Sequence, residues 1–251
     1  MISRHVLIKI APWALLVLLG VLWQVIVVGL DVPTYLFPSL SDVFRSLIAD
    51  WRPIAAHSLQ TLYTTLAGFV LAVVVGLVLG VAVGASALVY KAVYPLLVGF
   101  NSIPKVAFVP VLVVWFGIGT IPAIATAFLI SFFPVVVNVA TGLATVEPEM
   151  EDVLRSLGAS RFDILKKVGL PRSLPYFFAS LKVAITLAFV GSVISETVAS
   201  NLGIGYLMMS ASSNMNMALV FAGLIVIGAM GVVMYEIFAF IEKRMTHWAH
   251  R

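Results

Sequence analysis

Side chains able to do chemistry are scarce in this chain and fall into two sets. Ten charges, Glu147, Glu149, Glu151, Asp152, Arg155, Arg161, Asp163, Lys166, Lys167 and Arg172, crowd one short segment. Five single polar residues, Asn101, Lys105, Ser131, Asn138 and Glu196, stand in or beside long apolar stretches. The first set suits docking onto another protein; the second suits solute contacts or hydrogen bonds between membrane helices. Covalent and metal chemistry have little to work with. The chain has no cysteine, which excludes disulfides, thiol chemistry and thiolate metal sites. His247 and His250 are close enough in sequence to suggest a metal pair, but beside Arg251 they read as solvated tail residues, and His5 and His57 sit near a terminus or an interface. There is no Gly-x-x-x-x-Gly-Lys-Ser/Thr phosphate loop, so no ATP binding by this chain is expected. No Ser/His/Asp or paired-carboxylate arrangement stands out for hydrolysis. The chain is expected to be no enzyme and to carry no cofactor.

The elements that must position these residues follow from hydropathy. Of the 251 residues, 62% are hydrophobic and 10% charged, against roughly 45–50% and about 25% in average soluble domains. A soluble domain of this size could not hide so much apolar surface. A soluble enzyme, a disordered chain and a nucleic-acid-binding domain are thereby excluded. Residues 10–30 carry no Asp, Glu, Lys or Arg and are long enough to cross a ~30 Å hydrocarbon core. They exceed the roughly 7–15-residue apolar run of a signal peptide and lead into Asp31, so a retained span is expected. Arg52 and Lys91 bracket 38 uncharged residues, and Lys105 and Glu147 bracket 41. Further spans are expected near 59–85, 93–116, 121–143, 177–199 and 217–241, with Gly117–Pro122 breaking the third from the fourth. This is an all-α, polytopic membrane protein of about six transmembrane helices. With both termini cytoplasmic, twelve Lys and Arg fall inside and only Arg45 and Arg52 outside, a strong positive-inside bias. Lys105 is left within span three.

Local signals add detail. Gly68, Ala72, Gly76, Gly80 and Gly84 repeat every four residues and line one helix face for close approach of another backbone, within the chain or across a dimer. Leu40, Val43, Phe44, Leu47, Ile48 and Trp51 form an amphipathic stripe behind a Ser39/Asp42 capping box; this outer helix should lie on the membrane surface or against the outer ends of the spans. Residues 201–216 are too polar to face lipid. In the charged segment, Met150, Val153, Leu154 and Leu157 make an apolar stripe, with Pro148 in a tolerated first-turn position and Gly158 as a C-terminal stop. Ser160 and Asp163 cap a second short helix carrying Phe162, Leu165 and Val168, which Leu170-Pro171 ends. Pro175 leads into span five. Two short helices thus meet at Gly158-Ala159 on the cytoplasmic side. Within the spans, Lys105 lies between Pro104 and Pro110 and either forms a gate or pathway wall or snorkels to the cytoplasmic interface. Glu196 caps the outer end of span five or lines the pathway with residues 201–206. Asn138 reads as an interhelical hydrogen bond, with a solute contact as the alternative.

Here the chain resembles a known family. The cytoplasmic loop of permease subunits in binding-protein-dependent ABC importers reads Glu-Ala-Ala, three residues, Gly, nine residues, Ile, one residue, Leu-Pro. This chain has Asp152-Val153-Leu154, Gly158, Val168 and Leu170-Pro171 at that spacing, with Asp for Glu, Val-Leu for Ala-Ala and Val for Ile. Residues 33–39, 103–110, 115–119 and 203–207 resemble the nitrate/sulfonate/taurine-type branch, and the likeness covers about residues 30–240. The resemblance implies a type I importer permease fold in the cell (inner) membrane. Residues 1–56 would hold the first span and a periplasmic helix (39–52), residues 57–242 the transmembrane domain with its coupling loop (145–175), and 243–251 a cytoplasmic tail. Glu151, Asp152, Leu154, Leu157, Gly158, Ala159, Arg161, Leu170 and Pro171 would dock on an ATPase, and Asn101, Lys105, Ser131, Asn138 and Glu196 would border the pathway. The implied partners are two ATP-binding subunits, which hold ATP and Mg, an extracytoplasmic substrate-binding protein, a second permease copy and membrane lipid, with no nucleic acid. The implied cargo is a small solute of nitrate, sulfonate, taurine or thiamine-precursor type. A secondary transporter is the runner-up, but inverted repeats and paired mid-membrane charges are not evident.

Overall fold

A computed structural model describes residues 4–145 and 148–246, which leaves Glu147, His247, His250 and Arg251 outside. The side chains of Glu149, Glu151 and Arg161 also lie outside the description. In chain order the helices are α1 (Arg4–Gly29), α2 (Leu40–Ala49), α3 (Trp51–Gly84), α4 (Ala87–Asn101), α5 (Val109–Phe116), α6 (Thr120–Ala144), α7 (Pro148–Ser156), α8 (Arg161–Ile164), α9 (Leu170–Ala199), α10 (Ile204–Ser213) and α11 (Met217–Met245). A 3-10 turn (Lys105–Phe108) precedes α5, and a π turn (Leu165–Gly169) joins α8 to α9. No strand occurs among the described residues.

Among the described residues four helical stretches, containing α3, α6, α9 and α11, are long and apolar enough to cross a membrane. The pair α4/α5 makes a fifth only as a broken span, bent by 74° where the helix stops at Asn101 and restarts at Lys105. The unbroken third span expected from hydropathy is therefore corrected. Pro104 cannot donate to a helical ladder and disfavours helix at the residue before it. The first span expected at 10–30 falls within α1, which is helical from Arg4 to Gly29 and apolar over Ala14–Gly29. Helix α3 starts eight residues before the expected boundary of span two. At about 51 Å it outreaches the hydrocarbon core.

The centre is a three-helix packing of α3, α6 and α9, with α11 behind α9. Val135, Val139, Ala184, Ile185 and Ala188 are fully buried in it. The glycine stripe of α3 is what lets α6 in. A Cβ at Gly76 would stand 2.7 Å from Cβ of Val135 and one at Gly80 2.7 Å from Cβ of Val139, while Gly84 abuts the backbone of Ala140. The small-residue face thus packs within the chain. Gly76→Val is expected to cost about 1–3 kcal/mol or more through over-packing and to lower the yield of folded protein and its thermal midpoint. Gly228→Ala, where nothing lies within 4 Å of the added atom, should leave both unchanged, and equal effects would contradict the packing account.

The outer amphipathic helix is capped as its sequence demands: the Asp42 N–H donates to Ser39 Oγ (3.3 Å), and Ser39 Oγ donates to Asp42 Oδ2 (2.6 Å). Val43 packs with Ile54, Ile204, Leu207 and Ala222, whereas Phe44, Ile48 and Trp51 face outward. Helix α1 is tied on through Trp23, whose Nε1 donates to the Pro38 carbonyl (3.0 Å) and whose ring meets Phe37 and Phe221.

Candidate functional site

The charged segment forms a compact knuckle. Helix α7 ends in a Schellman turn: the Ala159 N–H reaches back to the Leu154 carbonyl (3.0 Å) and the Gly158 N–H to that of Arg155 (2.9 Å), with Gly158 at φ +85°. Ser160 then opens α8 through a reciprocal cap. The Asp163 N–H donates to Ser160 Oγ (3.1 Å), while the Ser160 N–H and hydroxyl both donate to the Asp163 carboxylate. Each cap uses only neighbouring residues, so the turn needs no support from the spans. Its apolar residues point away from the body: Leu157 is 78% exposed, Phe162 69% and Val153 58%. Ile164 is buried, and Leu165 and Leu170 pack against the α3/α6/α9 core.

One expectation is overturned here. Leu170-Pro171 does not end the second helix, and Pro175 lies inside α9. From Arg161 the chain stays helical through the π turn into α9. Pro171 falls in the first turn of α9, where a missing N–H is tolerated, and the wider π turn before it absorbs the mismatch. The second half of the knuckle, from Arg161, and α9 are thereby one continuous helical piece.

The five polar residues of the apolar stretches do not converge on one site. Asn101 and Lys105 meet: Nζ of Lys105 donates to the carbonyl (3.0 Å) and to Oδ1 (2.7 Å) of Asn101. Ser131 is buried and donates to the Ala127 carbonyl (2.6 Å). Asn138 Nδ2 donates to the Pro134 carbonyl (2.8 Å), a bond within α6 rather than the expected interhelical one. The side chain reaches its own preceding turn more easily than a neighbouring helix.

Glu196 sits at the opposite end of the bundle from the knuckle, 1% exposed. Its Oε2 accepts from Thr61 Oγ1 (2.7 Å) and the Gly205 N–H (3.3 Å), and its Oε1 from Thr64 Oγ1 (3.0 Å) and Ser192 Oγ (3.4 Å). Thr61 Oγ1 accepts from the Ile204 N–H (2.8 Å), and His57 Nδ1 from the Gly203 N–H (3.0 Å). The carboxylate thus joins α3, α9 and the start of α10. Gly203, at φ +103°, leaves room for it; a Cβ there would fall inside the carboxylate. Sequence reasoning missed Thr61, Thr64 and Ser192. Their signal was present in the spacing of Thr61, Thr64 and Thr65, which puts three hydroxyls on one face of an apolar helix. It also missed Lys182, which pairs with Glu242 across α9 and α11 near the knuckle end. Among the described residues no group of His, Cys, Asp and Glu is placed to hold a metal ion.

Comparison with known proteins shows the family. Residues 72–247 match the family model described as "Binding-protein-dependent transport system inner membrane component". A probable ABC transporter permease protein of Haemophilus influenzae is 32% identical over 88% of this chain and 91% of its own length. The taurine transport system permease protein TauC of Escherichia coli is 29% identical over 98% of this chain and 91% of its own. Among solved structures, an inward-facing MetNI methionine ABC transporter chain superposes with a TM-score of 0.62 at 20% identity, over 86% of this chain and 99% of that one, a likeness of fold. The protein is a multi-pass inner-membrane transport subunit, and it belongs to the permease family of binding-protein-dependent ABC importers.

Proposed function

We propose that the chain borders the translocation pathway of an ATP-driven importer and is moved by cytoplasmic ATPase subunits that grip the 147–171 loop. The observation that carries this reading is the knuckle: a doubly capped turn with exposed Val153, Leu157 and Phe162, whose second half is helically continuous with α9. A rigid helical piece with an apolar tip transmits a displacement at its tip to the span behind it, one of the known switching modes. The knuckle end is then cytoplasmic, with both termini on that side and six crossings. Glu196 lies at the outer end, where it braces α10 against α3 and α9. Asn101, exposed, and Lys105, half-buried in this single chain, border the pathway between two copies. An extracytoplasmic binding protein delivers the cargo, a small solute of nitrate, sulfonate, taurine or thiamine-precursor type.

Each chain carries one knuckle, so two copies with two ATPase subunits form the simplest closed two-fold assembly. The test is purification of the tagged chain with the products of its neighbouring genes, followed by native mass measurement. Two copies with two ATPase subunits are expected. A second, different permease would replace the homodimer, and a complex without an ATPase would overturn the coupling reading.

A further inference from the structure

We propose that Lys105, held by Asn101 at the break between α4 and α5, is a mid-membrane contact for an anionic solute or for the anionic group of a larger one. The proposal rests on the pathway reading of these residues and adds the charge of what passes.

Depth comes first. Helix α4 leaves the knuckle end, where Tyr90 meets Thr141 (3.3 Å) near the end of α6. It stops at Asn101, and Lys105 follows with its ammonium 5.8 Å from the ring centroid of Phe133. Phe133 stands 13 residues from Thr120 and 11 from Ala144, the two ends of α6, which is about 20 Å and about 17 Å along the helix. The ammonium is therefore near the middle of the span, too deep to be simply an interfacial lysine. A cation at that depth is costly unless it faces a cavity or finds partners.

Its partners are incomplete. Among the described residues no carboxylate lies within ion-pair distance of Lys105. Asn101 supplies both acceptors, a backbone carbonyl and a side-chain oxygen. An ammonium has three N–H donors, so one remains for a further acceptor, and neither the two neutral oxygens nor the Phe133 ring cancels the charge. Two other ionisable groups of the spans are treated differently: half-buried Lys182 is paired with Glu242, and buried Glu196 is enclosed by hydroxyls and an N–H. Lys105 alone among these three is left with a net charge and an open side. The backbone break supports it, since irregular backbone at membrane depth is tolerated where it lines a cavity. A carboxylate, sulfonate, phosphate or inorganic oxyanion supplies both the missing charge and the missing acceptor.

The chain has no native cysteine, so a single introduced thiol reports unambiguously. Ser102→Cys, which leaves Asn101 in place, would be co-expressed with the partner ATPase in membrane vesicles, and its modification rates by the anionic sulfonatoethyl and cationic trimethylammonioethyl methanethiosulfonates compared, with and without ATP. Gly99→Cys, where an added Cβ meets nothing within 4 Å, serves as a second reporter if the first is absent from the membrane. The anionic reagent is expected to react faster relative to the cationic one. Lys105→Gln should shrink that ratio about tenfold, the lower end of what focused charge does in a cleft, and Lys105→Arg should restore it. Reaction with both reagents but no charge preference, or a preference indifferent to Lys105→Gln, overturns the anion site and leaves the pathway standing. No reaction of either reporter in either nucleotide state overturns the pathway reading, and the anion site with it.

Discussion

Gly158→Val is expected to leave the protein inserted in the membrane at normal levels while uncoupling it from ATP hydrolysis. Gly158 holds φ +85° between the two halves of the knuckle, a region in which a non-glycine residue costs roughly 1–2 kcal/mol, and a β-branched one is the worst case. A Cβ at this position meets nothing within 4 Å, so the effect is one of backbone conformation and not of collision. That separates it from α7 and α9, whose own bonds and packing are untouched. If the ATPase grips only the native turn, 1–2 kcal/mol weakens the grip by about 5–30-fold. Substrate-stimulated hydrolysis in liposomes should fall towards the basal rate, and less ATPase should co-purify. The graded series is the sharper check. Gly158→Asn, which tolerates the left-handed region, should retain most coupling, Gly158→Ala should be intermediate and Gly158→Val lowest. Asp152→Ala should change little beside these, because Asp152 is an exposed residue in the middle of α7. Full coupling in Gly158→Val would refute the assignment of 147–171 as the docking element.

That turn was legible in the sequence because every bond that makes it is local. Gly158 and Ala159 bond back to Arg155 and Leu154, and Ser160 and Asp163 satisfy each other, as do Ser39 and Asp42, so spacing alone specifies the geometry. The glycine stripe of α3 was legible as a packing face, but not its partner: only the fold shows that Val135 and Val139 fill it. Proline misled at Pro171, where the local expectation of a helix end was overridden by a π turn and a tolerated first-turn position, and at Pro175, which the helix runs through. Least legible was the Glu196 network. Thr61 and Glu196 are 135 residues apart, and short helix α10, at whose start the N–H groups lie, begins between Gly203 and Gly205 in a stretch that reads as polar loop. Composition could say that a buried carboxylate needs partners, and not where they would come from.

The second large effect belongs to that network. Glu196→Ala removes the acceptor shared by Thr61, Thr64, Ser192 and the Gly205 N–H. Buried donors left without an acceptor typically cost about 1–3 kcal/mol each. Hydroxyls can turn to other carbonyls and a backbone N–H cannot, so a total of about 2–4 kcal/mol is expected, read as a large fall in folded protein and thermal midpoint. Glu196→Gln should be milder, about 1 kcal/mol, in keeping with the modest strength of hydrogen bonds between membrane helices. Its carbonyl can still take the Gly205 N–H, while its amide donates to hydroxyls that reverse to accept. Gly203→Ala attacks the same junction from the other side, by forcing a Cβ into the carboxylate at a φ of +103°. Because both substitutions break one junction, the double variant Glu196→Ala/Gly203→Ala should be less destabilised than the sum of the two singles. Transport should fall only in proportion to folded protein in Glu196→Gln, since a brace acts through structure. Normal folding and thermal midpoint with transport lost would instead make Glu196 a contact for the passing solute, and strict additivity in the double variant would mean that α10 is held by something other than this carboxylate.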